Sequence, residues 1–189
     1  MKRREAIKTI SLAACGSALF AACVREARHA SVSLENMTIT GDEEALLAEV
    51  CETIIPETDM PGAKTLNIHH FVLKMVDDCH SPKEREDFLM GLRDLDTFSK
   101  QTVSKNFSNA SEEDREKVLL SIDQAEPVLV EGKPSTLPVF YSLTKRHTIQ
   151  GFAQSQYIMT EVLKHNMIPG RFDGCIEIKD PKDIQTILG

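Results

Sequence analysis

The chain has 189 residues, with 22 Lys and Arg against 29 Asp and Glu, five cysteines, two tyrosines and no tryptophan. Its net charge of −7 repels nucleic acid and anionic lipid, so neither is an expected ligand. With so few large aromatic rings, a sugar-stacking platform is not expected either.

The chain opens on Met1-Lys2-Arg3-Arg4-Glu5-Ala6-Ile7-Lys8, followed by an apolar stretch from Thr9 to Ala22 and then Cys23. Arg3 and Arg4, a spacer, an apolar residue and a lysine ahead of a modest hydrophobic run form the pattern of a twin-arginine export signal. The run is too short for a permanent membrane helix, which needs about 20 apolar residues, and reads as a signal h-region. Phe20-Ala21-Ala22-Cys23 has the form of a lipoprotein box, with Cys23 as the acylated first residue of the mature chain. Leu12-Ala13-Ala14-Cys15 is a tighter local match, but it leaves only about six h-region residues after Lys8. The competing reading is an ordinary cleaved signal ending near Ala22, with no anchor. The expected layout is a signal over 1–22, a tether over 23–40 and a folded domain over 41–189. Loss of the signal removes four basic residues and one acidic residue, leaving 18 against 28 and a net charge of −10. Such a chain is expected in the periplasm, held at a membrane by its lipid and not by a basic patch.

From Asp42 the pattern is helical. Leu46, Leu47, Val50, Cys51, Ile54 and Ile55 recur as pairs every four residues on one face, until Pro56 ends the helix. Glu57-Thr58-Asp59-Met60-Pro61-Gly62-Ala63 is rich in turn formers and reads as a loop. Ile68, Phe71, Val72, Met75 and Val76 mark a second helix. Ser81-Pro82-Lys83-Glu84 starts a third, with serine as N-cap, proline in the first turn and glutamate closing a capping box. Phe88, Leu89, Leu92 and Leu95 are its inward side. Ser111, with acids at 112–114 that suit the helix dipole, opens a fourth, whose buried side is Val118, Leu119 and Ile122. Gly132-Lys133-Pro134 is a break, and a long helix is expected from about 136 to 165 with a bend at Gly151. The stretch from Ile168 to Cys175 is turn-rich. No alternating strand stands out, so the fold class is all-α: a single compact helical domain behind a signal and a short tether.

The chain carries no phosphate-cradling glycine loop, no Gly-x-Ser-x-Gly elbow and no Cys-x-x-Cys-His haem site. Neither catalytic nor cofactor-binding residues are therefore assigned. His69, His70, Cys79 and His80 invite a metal reading, but neighbouring helical residues point about 100° apart and zinc signatures use spaced ligands, so no metal ligand is assigned. Glu52, Glu57 and Asp59 resemble paired carboxylates, yet a solvated loop explains them as well. Cys79 beside His80 could mimic an activated nucleophile, but an oxidising compartment favours a disulfide. If Cys15 leaves with the signal and Cys23 is acylated, Cys51, Cys79 and Cys175 remain. Cys51 lies on a helical apolar stripe, so Cys79 and Cys175 are expected to pair. Lys145-Arg146-His147 is a basic cluster on an acidic chain, read as a solvated face with a partner contact as the alternative.

Several blocks together resemble the gluconate 2-dehydrogenase subunit 3 family, the small subunits of membrane-associated sugar dehydrogenases. They are the run from Glu52 to Ala63, Asp78-Cys79-His80-Ser81-Pro82, Phe88-Leu89 with Gly91-Leu92 and Leu95-Asp96, and Pro169-Gly170-Arg171-Phe172-Asp173-Gly174-Cys175. The likeness spans about residues 45 to 175. It departs at Gly151-Phe152-Ala153-Gln154-Ser155-Gln156, where a glycine, two aromatics and Thr-Ser-Glu are expected. The resemblance implies a non-catalytic accessory subunit of a flavin-dependent oxidoreductase of the glucose–methanol–choline type, sometimes joined by a cytochrome c. FAD and the chemistry would lie in the partner, which the small subunit helps to fold and supplies with its export signal. Pro61, Gly62, Pro169, Gly170 and Arg171 are the expected partner contacts, because exposed Pro/Gly loops commonly carry function. An independent lipid-anchored periplasmic binding or structural protein is the alternative.

Overall fold

Thr40 and Glu43 begin the first described helix by satisfying each other's backbone, since the Thr40 hydroxyl accepts from the Glu43 amide and the Glu43 carboxylate accepts from the Thr40 amide. The computed structural model describes residues 29–124 and 127–163, with Cys175 and Glu177. Among these residues the helices are α1 (Gly41–Ile54), α2 (Ile68–Cys79), α3 (Pro82–Val103), α4 (Glu112–Gln124) and α5 (Leu137–Ala153). A 3-10 turn, Phe107–Asn109, joins α3 to α4, and a π-helical turn, Ile158–Val162, follows α5. The chain is thus mostly helical, as its apolar periodicity predicts, and its α3 opens on the expected Ser81/Glu84 capping box.

Two differences follow from local backbone chemistry. Leu129–Val130 and Lys133–Pro134 form a two-stranded hairpin where only a break is expected. Glu131 (φ 50°) and Gly132 (φ 76°) take left-handed conformations, which lets a two-residue turn match the strand twist. The long helix expected to 165 ends at Ala153. At Gly151 a Cβ would lie 2.6 Å from Phe71 Cδ1, so glycine lets α2 and α5 approach.

The core lies where α3 crosses α5. Phe88, Leu92, Leu95, Leu137 and Phe140 are fully buried, each worth about 1.5–3 kcal/mol of apolar burial. A Cβ at Gly91 would fall 2.5 Å from Phe140 Cβ and 3.0 Å from the Thr136 carbonyl oxygen. The rings of Phe88 and Phe140 sit 5.1 Å apart at 54°. Cys51 is also in this core, where the Thr148 hydroxyl donates to its Sγ at 3.3 Å and burial pushes its thiol pKa up to about 12. It is an unreactive packing residue.

The tether expected over 23–40 is packed from residue 29 onward. His29 bridges to Thr40, Met37 and Ile39 are buried, and Ala30, Val32 and Leu34 lie against the core. The alternation at 30, 32 and 34 and again at 37 and 39 is a period-two signal, too short to stand out in the sequence. Asp77 of α2, fully buried, fastens this segment by accepting from the amides of Glu35 (2.6 Å) and Asn36 (2.9 Å). The signal over 1–22, with Arg3 and Arg4, together with Cys23, Pro169, Gly170 and Arg171, lies outside the described residues. No described helix is long and apolar enough to cross a membrane.

Candidate functional site

The loop after α1 is built around one carboxylate. Glu52, near the end of that helix, accepts from the Glu57 amide through Oε1 at 2.9 Å and from the Lys64 amide through Oε2 at 2.8 Å. Between these anchor points the Ala63 amide returns to the Ile55 carbonyl at 3.0 Å, and the Thr58 amide to the Met60 carbonyl at 3.0 Å. The Thr65 hydroxyl holds the Glu57 carboxylate at 2.7 Å. Gly62 closes the ring: a Cβ there would lie 2.6 Å from both Glu52 Oε2 and the Glu57 nitrogen. Glu52 and Glu57 therefore serve the loop's architecture.

Of the expected contact residues in this loop, Gly62 is buried and Pro61 half-buried. The exposed tip is Pro56 to Met60, with Met60 41% exposed. Beside it, Glu52, Thr53, Pro56, Glu57, Glu112, Glu113, Arg115 and Glu116 line a cleft of about 390 Å³. Five carboxylates face it, and its arginine is already committed: Arg115 Nη1 bonds Glu49 Oε2 at 2.7 Å and its Nη2 the Ser108 carbonyl at 2.8 Å.

At the other end of the loop, His69 and His70 open α2 beside Glu44 of α1. His70 Nε2 lies 2.9 Å from Glu44 Oε1, and His69 Nε2 lies 3.7 Å from the same oxygen. The expectation that adjacent histidines diverge fails, because each imidazole turns about its own side-chain torsions and the carboxylate of the neighbouring helix lies between them. Their ring centroids are 4.3 Å apart. Ser31 completes the group: its amide donates to Glu44 Oε2 at 2.6 Å, its hydroxyl donates to Oε1, and that hydroxyl is 3.0 Å from His70 Nε2. Burial opposes the charge on Glu44, but the Ser31 and His70 contacts outweigh it and hold the carboxyl below its ordinary pKa. Burial, aided by the neighbouring His70, pushes the His69 pKa down to about 4. Neither Ser31 nor Glu44 is legible as a site residue in the sequence. Glu44 reads there as one more acid in a first helical turn.

The remaining candidates separate. His80 meets His147 across the fold, Nε2 to Nε2 at 2.9 Å. His147 is buried, which holds its pKa below the ordinary value, and its Nδ1 lies 3.3 Å from Gln150 Oε1. Lys145 instead reaches Asp123 at 3.2 Å, so Lys145, Arg146 and His147 form no single basic face. Cys79 and Cys175, expected to pair, are both free and exposed. Cys79 is the last residue of α2.

These features define a small all-α protein whose irregular segments are pinned by carboxylates and whose braced loop is presented at the surface. The chain belongs to the gluconate 2-dehydrogenase subunit 3 family, whose family model matches residues 41–170. The match begins at the first residue of α1 and takes in the braced loop, both histidine pairs and the α3–α5 crossing. The family is one of subunits, so the chain is a component of a multi-subunit dehydrogenase. Neither a curated protein nor a solved structure matches the chain.

Proposed function

We propose that this chain is the accessory subunit of a periplasmic flavin-dependent dehydrogenase of the glucose–methanol–choline type, acting on a sugar, polyol or glycoside. The observation that carries the reading is membership of a subunit family over residues 41–170. In this reading FAD and the reacting atoms belong to the large subunit, and a cytochrome c takes the electrons onward. The small subunit assists the partner's folding, and its Arg3-Arg4 signal exports both chains by the twin-arginine route. Cys23 then carries the lipid that holds the complex at the membrane. The 56–60 tip supports a contact role: it is exposed, yet its backbone is held in one shape by Glu52, so docking needs little further ordering.

The test is capture from native membranes through a tag at Gly189, with a flavin absorbance scan of the eluate. A stoichiometric flavoprotein is expected, and it is lost when Arg3 and Arg4 are both changed to lysine. A chain recovered alone and colourless in mild detergent and low salt would overturn the reading in favour of an independent periplasmic binding protein.

A further inference from the structure

We propose that Glu44, His69 and His70 bind one divalent cation of the zinc class, clamping α1 to the first turn of α2. The site is independent of the accessory-subunit reading. One ligand atom from each residue lies within 4.8 Å of the others. A tetrahedral zinc with bonds of about 2.0–2.1 Å places its ligand atoms about 3.3–3.4 Å apart. The two measured edges to Glu44 Oε1, 2.9 Å from His70 and 3.7 Å from His69, bracket that value. With ligand atoms of all three residues within 4.8 Å of one another, side-chain rotation brings them onto one ion.

The histidine that the ion would engage is otherwise unexplained. The His69 side chain is only 9% exposed, its Nδ1 is buried with no hydrogen-bond partner, and its Nε2 stands beyond hydrogen-bond reach of Glu44. A buried polar group left unpaired costs about 1–3 kcal/mol and calls for a partner. A cation at Nε2 gives the ring a polar partner on its other nitrogen. The donor set also suits the metal, with two imidazoles and one carboxylate at a borderline-soft ion.

Access and a fourth position are provided as well. Glu44 and His69 form the buried floor, whereas the His70 side chain is 37% exposed. A cavity of about 490 Å³ opens onto the group and is lined by His29, Ser31, Glu44, Lys64 and His69 among others. The Ser31 hydroxyl, beside both Glu44 Oε1 and His70 Nε2, stands where a water or the hydroxyl itself would complete the coordination. Lys64, the nearby cation, is drawn aside by its ion pair with Glu49.

The test uses the full chain, purified without a histidine tag, stripped with a chelator and desalted. Calorimetric titration with Zn²⁺ should show one equivalent bound with micromolar or tighter affinity, and the ion should raise the melting temperature. Glu44→Gln and His70→Ala should each weaken binding by more than roughly tenfold, the loss already typical of outer-shell partners. Circular dichroism checks that the variants fold. His80→Ala, in the other histidine pair, should leave affinity unchanged. No stoichiometric binding by the folded chain, or binding that survives in Glu44→Gln and His70→Ala alike, would overturn the proposal.

Discussion

The α3–α5 crossing and the α1–α2 corner are held by opposite means. At the crossing, Gly91 lets two helices close on Phe88 and Phe140, and the packing is mainly apolar. At the corner, three carboxylates accept backbone amides from irregular chain: Glu44 from Ser31, Glu52 from Glu57 and Lys64, and Asp77 from Glu35 and Asn36. Helices satisfy their own backbone and need only a partner surface, whereas the 29–40 segment and the 55–67 loop have amides with no partner of their own. A carboxylate offers two strong acceptor atoms and resolves that need directly. Much of this chain's acidity is therefore structural and does not merely solvate it. The price is sensitivity to pH.

That contrast can be broken most severely at the crossing. Phe140→Ala should cost about 4 kcal/mol in urea unfolding, through lost transfer energy plus a cavity. A cost below that of any corner variant would invert the ranking. Gly91→Val should lose about 3 kcal/mol, since the new Cβ meets Phe140 Cβ and the Thr136 carbonyl and not a flexible side-chain end. At the corner, Asp77→Ala should cost about 2 kcal/mol by stranding two amides. Its signature is local: amide exchange should rise over residues 29–37 while α3 and α5 stay protected.

Acidification should sharpen the difference without any mutation. The His69 pKa lies near 4 in the fold against about 6.5 unfolded, so the unfolded chain binds the proton first as pH falls. Its contribution is complete above pH 6.5 and is lost on descent toward pH 4, at no more than about 1.4 kcal/mol per pH unit. Glu43, Glu44 and Glu49 have lowered pKa values despite burial, because their hydrogen-bond and cationic partners outweigh it. Their contribution is present above the ordinary carboxylate range and lost below it. Hydrogen exchange at pH 4.5 should therefore open the corner before the crossing. Simultaneous opening of both would show that the two regions are one cooperative unit. The smallest effect is expected from Glu52→Gln, about 1 kcal/mol, read as faster proteolysis within residues 57–60.

Local rules made the helices legible in the sequence. Ser81, Pro82 and Glu84 set the start of α3 within one turn, and the apolar repeats of Leu47, Val50 and Cys51 or of Ile68, Val72 and Val76 set the buried faces. Such signals need no knowledge of the rest of the chain, because capping and amphipathic spacing act over three or four residues. The candidate site was legible only as residue types. Glu52 and Gly62 stood in the recognised block, but their dependence on each other did not show. Ser31, Glu44 and Asp77 gave no signal, since a hydrogen bond from Glu35 to Asp77 joins residues 42 apart and the His80–His147 contact residues 67 apart. Composition and periodicity thus determined an acidic, all-α chain with its helix starts and inward faces. Only tertiary packing decided which carboxylates pin which loops, that two adjacent histidines converge on Glu44, and that Gly91 and Gly151 serve close approach. Those outcomes depend on where helices cross, and no local rule contains a crossing.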